Sequence, residues 1–136
     1  MTKKLTWQEK LNSGKPAVVK VLDKNFAGMR SGQKMLVPSA ALIDEFIRCI
    51  PEGKSLDVVN MRASLAQQQQ AEVCCPVATG FALKVVAEAA FEQINLGKSF
   101  SEVSPVWRVL DEKSITLKKV SFDSEALLNQ RIIEGI

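Results

Sequence analysis

Pro76-Val77-Ala78-Thr79-Gly80-Phe81-Ala82-Leu83-Lys84-Val85-Val86-Ala87-Glu88-Ala89-Ala90-Phe91-Glu92-Gln93-Ile94 is the stretch on which the architecture turns. Proline fits the first helical turn, where its missing N–H had no partner anyway. Cys75 stands just ahead of it, and Gly97 supplies a stop. Between them the residues are apolar nearly all round. Only Lys84, Glu88 and Glu92, four apart, mark a polar stripe. The pattern predicts one long, buried helix over 76–94, with the stripe facing solvent.

The neighbouring segments are helical too. Pro38-Ser39 opens a helix whose Leu42, Ile43, Phe46, Ile47 and Ile50 share one face. Pro51-Glu52-Gly53-Lys54 is a turn, and Asp57 caps a second helix carrying Val58, Met61 and Leu65 inward. Beyond the long helix, Trp107-Arg108-Val109-Leu110 and Ile115-Thr116-Leu117 flank the turn Asp111-Glu112-Lys113-Ser114 and read as a β-hairpin. Asp123 caps a last helix ending at Gly135. The expected fold is mainly α with a small β-hairpin, in the order of a winged helix-turn-helix. Upstream, Thr6 and Glu9 form a capping-box pattern around Trp7–Leu11, and Val18, Val19, Val21 and Leu22 read as extended.

The chain has 136 residues, which suits one hydrophobic core. The N-terminus is charged and lacks an apolar h-region, so no secretory signal or membrane span is expected. Three cysteines, two adjacent, make a poor disulfide framework and point to a reducing cytoplasm. The chain contains no histidine and no tyrosine. That removes Ser-His and Cys-His nucleophile schemes and every His-containing metal site, and three cysteines without C-x-x-C spacing do not suggest structural zinc; no metal or cofactor is expected. Charge is uneven. Residues 1–34 carry eight bases against Glu9 and Asp23, while 35–136 are mildly acidic. The division is a basic arm, 1–34, ahead of a compact domain, 35–136. Such an arm steers a chain towards nucleic acid or an acidic protein, or is simply a solvated segment.

Three stretches carry a family likeness: Ile50-Pro51-Glu52-Gly53-Lys54, Pro105-Val106-Trp107-Arg108-Val109-Leu110, and Gln130-Arg131-Ile132-Ile133-Glu134-Gly135-Ile136. In this order and spacing, residues 35–136 resemble the C-terminal domain of the methylated-DNA–protein cysteine methyltransferases and the alkyltransferase-like proteins. With Lys4-Leu5-Thr6-Trp7 and Cys75-Pro76-Val77 included, the chain looks like a small bacterial branch of that DNA-repair superfamily. The resemblance implies a winged helix-turn-helix. The family's Pro-Cys-His-Arg-Val motif reads here Pro105-Val106-Trp107-Arg108-Val109. Valine has no lone pair to accept an alkyl group, so the resemblance implies a non-enzymatic protein. The family's base-flipping arginine and tyrosine align near Val77 and Val58, which leaves flipping without its usual side chains.

Two readings follow: a protein that binds double-stranded DNA without alkyl transfer, or a module that docks another protein. For DNA, the candidate contacts are Lys54 and Arg62 beside the helix-turn-helix, with Arg108 and Trp107 on the hairpin. Arg108 could instead pair with Asp111 or Glu112, and Trp107 could be core. Cys75, at a helix start, is a candidate reactive thiol or a buried cap, because the positive helix end favours a thiolate. Cys49 and Cys74 read as core fillers.

Overall fold

The computed structural model describes residues 6–136, so Lys3, Lys4 and Leu5 lie outside the described residues. Among the described residues there are five α-helices and one small sheet. Helix α1 spans Trp7–Ser13, α2 Ala40–Arg48, α3 Val58–Gln68, α4 Pro76–Asn95 and α5 Ser124–Glu134. The strands are β1, Val18–Val21, β2, Lys34–Val37, and β3, Val73–Cys74, in the order β1-β2-β3. The fold is mainly α with a small β region, and no helix among the described residues is long and apolar enough to cross a membrane.

The helix starts follow from side-chain oxygens or sulfur placed one residue ahead of each helix. Thr6 and Glu9 form the reciprocal box at α1. Ser39 Oγ accepts from Leu42 N–H at 3.0 Å, and Asp57 Oδ1 from Asn60 N–H at 2.7 Å. Asp123 Oδ1 accepts from Glu125 N–H at 3.0 Å, and Cys75 Sγ does the same work more weakly from Ala78 N–H at 3.4 Å. Gly135, in the left-handed region, closes α5.

Helix α4 is the centre of the molecule. Ala82, Leu83, Val86, Ala87, Ala89, Ala90 and Phe91 are buried, with α1 and α2 packed against them. Its polar stripe differs from the solvated face that the spacing predicts. Glu88 is 2% exposed and accepts from Ser121 N–H at 2.9 Å and from Ser121 Oγ at 2.7 and 2.9 Å. Glu92 accepts from Trp7 N–H and Gln8 N–H, both at 3.1 Å, so it satisfies the first donors of α1. Lys84 Nζ lies 5.7 Å from the Trp7 ring centroid. The stripe is therefore a row of anchors for segments distant in sequence. Glu88→Ala is expected to cost about 2 kcal/mol in chemical denaturation, because the Ser121 N–H and Oγ–H lose a charged acceptor that is itself buried.

The sheet lies in a different place from the one expected. Antiparallel β1 and β2 pair Val18 with Val37 through Val21 with Lys34, and β3 joins β2 in parallel through Met35–Val73 and Leu36–Cys74. The hairpin expected at 107–110 and 115–117 is not formed. Residues 106–108 and 116–118 are short 3₁₀ turns instead. Pro105 begins a run of local bonds in which Arg108 N–H donates to Pro105 O and Val109 N–H to Val106 O. The outward carbonyls are already taken: Arg108 O accepts from Leu56 N–H, and Trp107 O and Leu110 O accept from Arg131. A second strand would have no ladder to join.

The helix and extended segment expected within 1–34 are present as α1 and β1, and both pack into the body. Leu11 is buried in the main core, and β1 is laddered onto β2.

Candidate nucleic-acid interface

Arg108 and Trp107 are drawn together inside the protein by one carboxylate. Trp107 is 1% exposed, with its ring edge-on to Phe100. Its Nε1–H donates to Glu134 Oε2 at 2.6 Å. Arg108 grips the same carboxylate twice, Nε to Oε1 at 2.9 Å and Nη2 to Oε2 at 3.0 Å, and its Nη1 donates to Ile50 O at 2.7 Å. Gly53 N–H completes the set at 3.1 Å from Oε1. Gly53 has φ 82°, a conformation that a side chain disfavours, and this is how the Pro51–Lys54 turn presents its amide.

Burial alone would raise the Glu134 carboxyl. The hydrogen bonds from Arg108, Trp107 and Gly53, with the Arg108 charge, outweigh it and hold the group at about 2. The three stretches Ile50–Lys54, Pro105–Leu110 and Gln130–Ile136 thus meet in one structural clasp. Arg108 pairs with Glu134, not with Asp111 or Glu112, and its partners are all internal. Trp107 has no free face for a base. Val106, beside it, is fully buried.

The other sequence candidates divide. Arg62 is half-buried and its Nη1 lies 3.4 Å from Cys74 O. Lys54 is exposed and its side chain makes no hydrogen bond or ion pair among the described residues, so it is open to a phosphate. Cys75 is 5% exposed and serves as the α4 cap. Burial pushes the Cys74 thiol up from its ordinary value, against a hydrogen bond with Thr79 and the Arg62 charge. Cys49, expected in the core, is exposed beside an open groove of about 550 Å³ shared by Leu42, Phe46 and Pro51. No group of three or more metal-ligating side chains occurs among the described residues.

The start of α4 presents Val77 and Phe81 to solvent, 48% and 72% exposed, and no base. The cations are elsewhere. Lys15, Lys20, Lys24, Arg30 and Lys34 are all exposed along the β1–β2 ribbon, its connection and the residues leading into it, against Asp23 within the segment and Glu72 beside it, whose Oε1 accepts from Lys34 N–H at 3.1 Å. None of the five forms an ion pair among the described residues.

The connection itself is tightly built. Phe26 and Met29 exchange backbone bonds of 3.0 and 2.8 Å around Ala27 and Gly28, at φ 49° and 85°. Two positive values in succession are what a type I′ turn requires. Behind it, Ser31 N–H donates to Asn25 Oδ1 at 2.9 Å, Ser31 Oγ to Asp23 O at 3.2 Å, and Arg30 N–H to Gln33 Oε1 at 2.8 Å. Met29 is buried in a small cluster with Met35 and Cys75, which ties the loop to the start of α4. Counting charges in the sequence finds these bases but not their shared ribbon. The ribbon needs β2, and Lys34–Val37 carries no alternation to announce it.

No protein-family model, curated protein or solved structure matches this chain.

Proposed function

We propose that the chain is a non-enzymatic DNA-binding protein of the alkyltransferase-like kind that holds the duplex through its β1–β2 ribbon. The observation that carries this reading is the set of five exposed, unpaired bases on and beside that ribbon. Affinity for duplex DNA comes largely from neutralising phosphates, and a ribbon of cations meets that requirement without base-reading side chains. The bare start of α4 argues against specific readout, since it offers no donor to a base edge. With valine and tryptophan at the positions where the resembled enzymes have cysteine and histidine, no alkyl acceptor is available there.

The test is a salt titration of binding to a duplex. Wild-type affinity is expected to fall steeply with salt. Replacing Lys20, Lys24, Arg30 and Lys34 together with Gln should weaken binding and flatten the log–log slope by up to about 3.6, roughly 0.9 for each phosphate no longer neutralised. Lack of wild-type binding at low salt would remove the proposal. It would favour a protein-docking module instead, for which the exposed Val18, Val19 and Val21 on the free edge of β1 are the specific support.

A further inference from the structure

The geometry of the β1–β2 connection points to a second element of DNA binding: we infer that Phe26 is an apolar wedge that enters a base step and bends the duplex. This rests on the DNA-binding reading above.

Phe26 stands at the corner of a turn, 45% exposed, and belongs to neither apolar cluster of the protein. A phenyl ring left out of the core on a loosely held loop would carry little meaning. This one is on a fixed support. Both its backbone groups are engaged with Met29, and Met29 is itself buried. Ala27 next to it holds a left-handed conformation that costs a non-glycine residue stability, so the turn shape is imposed by its surroundings.

The charge around the ring selects the partner. Lys24 and Arg30 flank the turn, with Lys20 and Lys34 further along the two strands, all exposed. Phe81 is more exposed than Phe26 but lies on α4 without a base from Cys75 to Gly80. An aromatic tip between cations suits a ligand with stacked apolar faces inside a polyanionic envelope. Duplex DNA is such a ligand. Proteins that insert an apolar wedge do so from the minor groove, partly unstacking one step while basic side chains hold the phosphates on either side. A phenyl face stacks on any base, so the contact is tolerant of sequence but favours steps that unstack easily.

The experiment uses the full chain with a duplex of about 20 base pairs, carrying a donor and an acceptor at its ends and 2-aminopurine at a central pyrimidine–purine step. Wild-type protein is expected to raise the energy transfer and the 2-aminopurine fluorescence together. Phe26→Ala should abolish both signals and weaken binding roughly 5- to 150-fold, the range of one lost base–aromatic stack. Its salt slope should stay as in wild type, because the phosphate contacts remain. Phe26→Trp should restore the bend. Circular dichroism checks that each variant is folded, and the wild-type fluorescence change needs no variant at all. Wild-type binding with neither bending nor unstacking overturns the wedge and leaves the DNA-binding reading intact. No wild-type binding overturns both. Binding to phosphatidylserine vesicles that depends on Phe26, without duplex bending, would show that the tip serves a membrane surface and would also overturn the wedge.

Discussion

Glu134→Ala is expected to lower folding stability by about 3–5 kcal/mol, as breaking one side of a buried ion pair generally does. The Glu134 side chain is 2% exposed and that of Arg108 15%, so the surviving guanidinium would be left largely out of water with its charge uncompensated. Trp107 Nε1–H and Gly53 N–H would lose their acceptor at the same time. Glu134→Gln keeps the shape and one acceptor oxygen, and should cost less than the alanine. The acid side provides an independent reading. The carboxyl sits at about 2 in the fold against an ordinary 4.5. Its contribution is therefore full above about pH 4.5 and is lost as pH falls through about 2, amounting to roughly 3 kcal/mol. Urea denaturation between pH 5 and pH 2 should show that loss in wild type and a smaller one in Glu134→Gln. A Glu134→Ala protein within about 1 kcal/mol of wild type would mean that the clasp contributes no more than a surface ion pair.

The clasp also marks where the sequence was readable and where it was not. Helix starts were legible because their chemistry is local: Thr6, Ser39, Asp57, Cys75 and Asp123 lie within three residues of the donors they serve. The buried length of α4 was legible because its apolar surface is nearly continuous. The pairing of Arg108 was not, since its acid lies 26 residues away on another element, while Asp111 and Glu112 were the nearer candidates. Glu88 and Glu92 misled for the same reason: their donors are Ser121, 33 residues on, and Trp7, 85 residues back. The missing hairpin shows a further limit. Trp107–Leu110 has strand-like composition, but composition does not show that Leu56 and Arg131 already occupy its carbonyls. Of the proposed interface, Lys24 and Arg30 were visible as charges. Their placement around Phe26 required a turn whose first central residue is an alanine, where the usual signal is Asn-Gly or Asp-Gly.

Removing residues 1–34 is expected to abolish the cooperative fold, contrary to what the charge boundary at residue 34 implies. The sequence suggests an arm that can be cut away from a domain beginning at Met35. In the structure α1 packs along α4, with Leu11 in the main core and Trp7 half-buried beside it. Leu11→Ala alone should cost about 2–5 kcal/mol. Truncation adds the loss of both donors on Glu92 and of the β1 ladder that covers β2, whose Met35 and Leu36 are core residues. The total approaches the roughly 5–15 kcal/mol that holds an ordinary domain together. Two thermal melts decide the matter. Leu11→Ala should melt cooperatively but at a lower temperature, and the truncated chain should show no cooperative transition. A truncated protein that melts within a few degrees of the full chain would show that residues 35–136 stand alone, and the ribbon would then be a separable arm. If the expectation holds, loss of DNA binding on truncation would say nothing about phosphate contacts. Only side-chain replacements on the folded ribbon, at Lys20, Lys24, Arg30 and Lys34, can separate the interface from the fold.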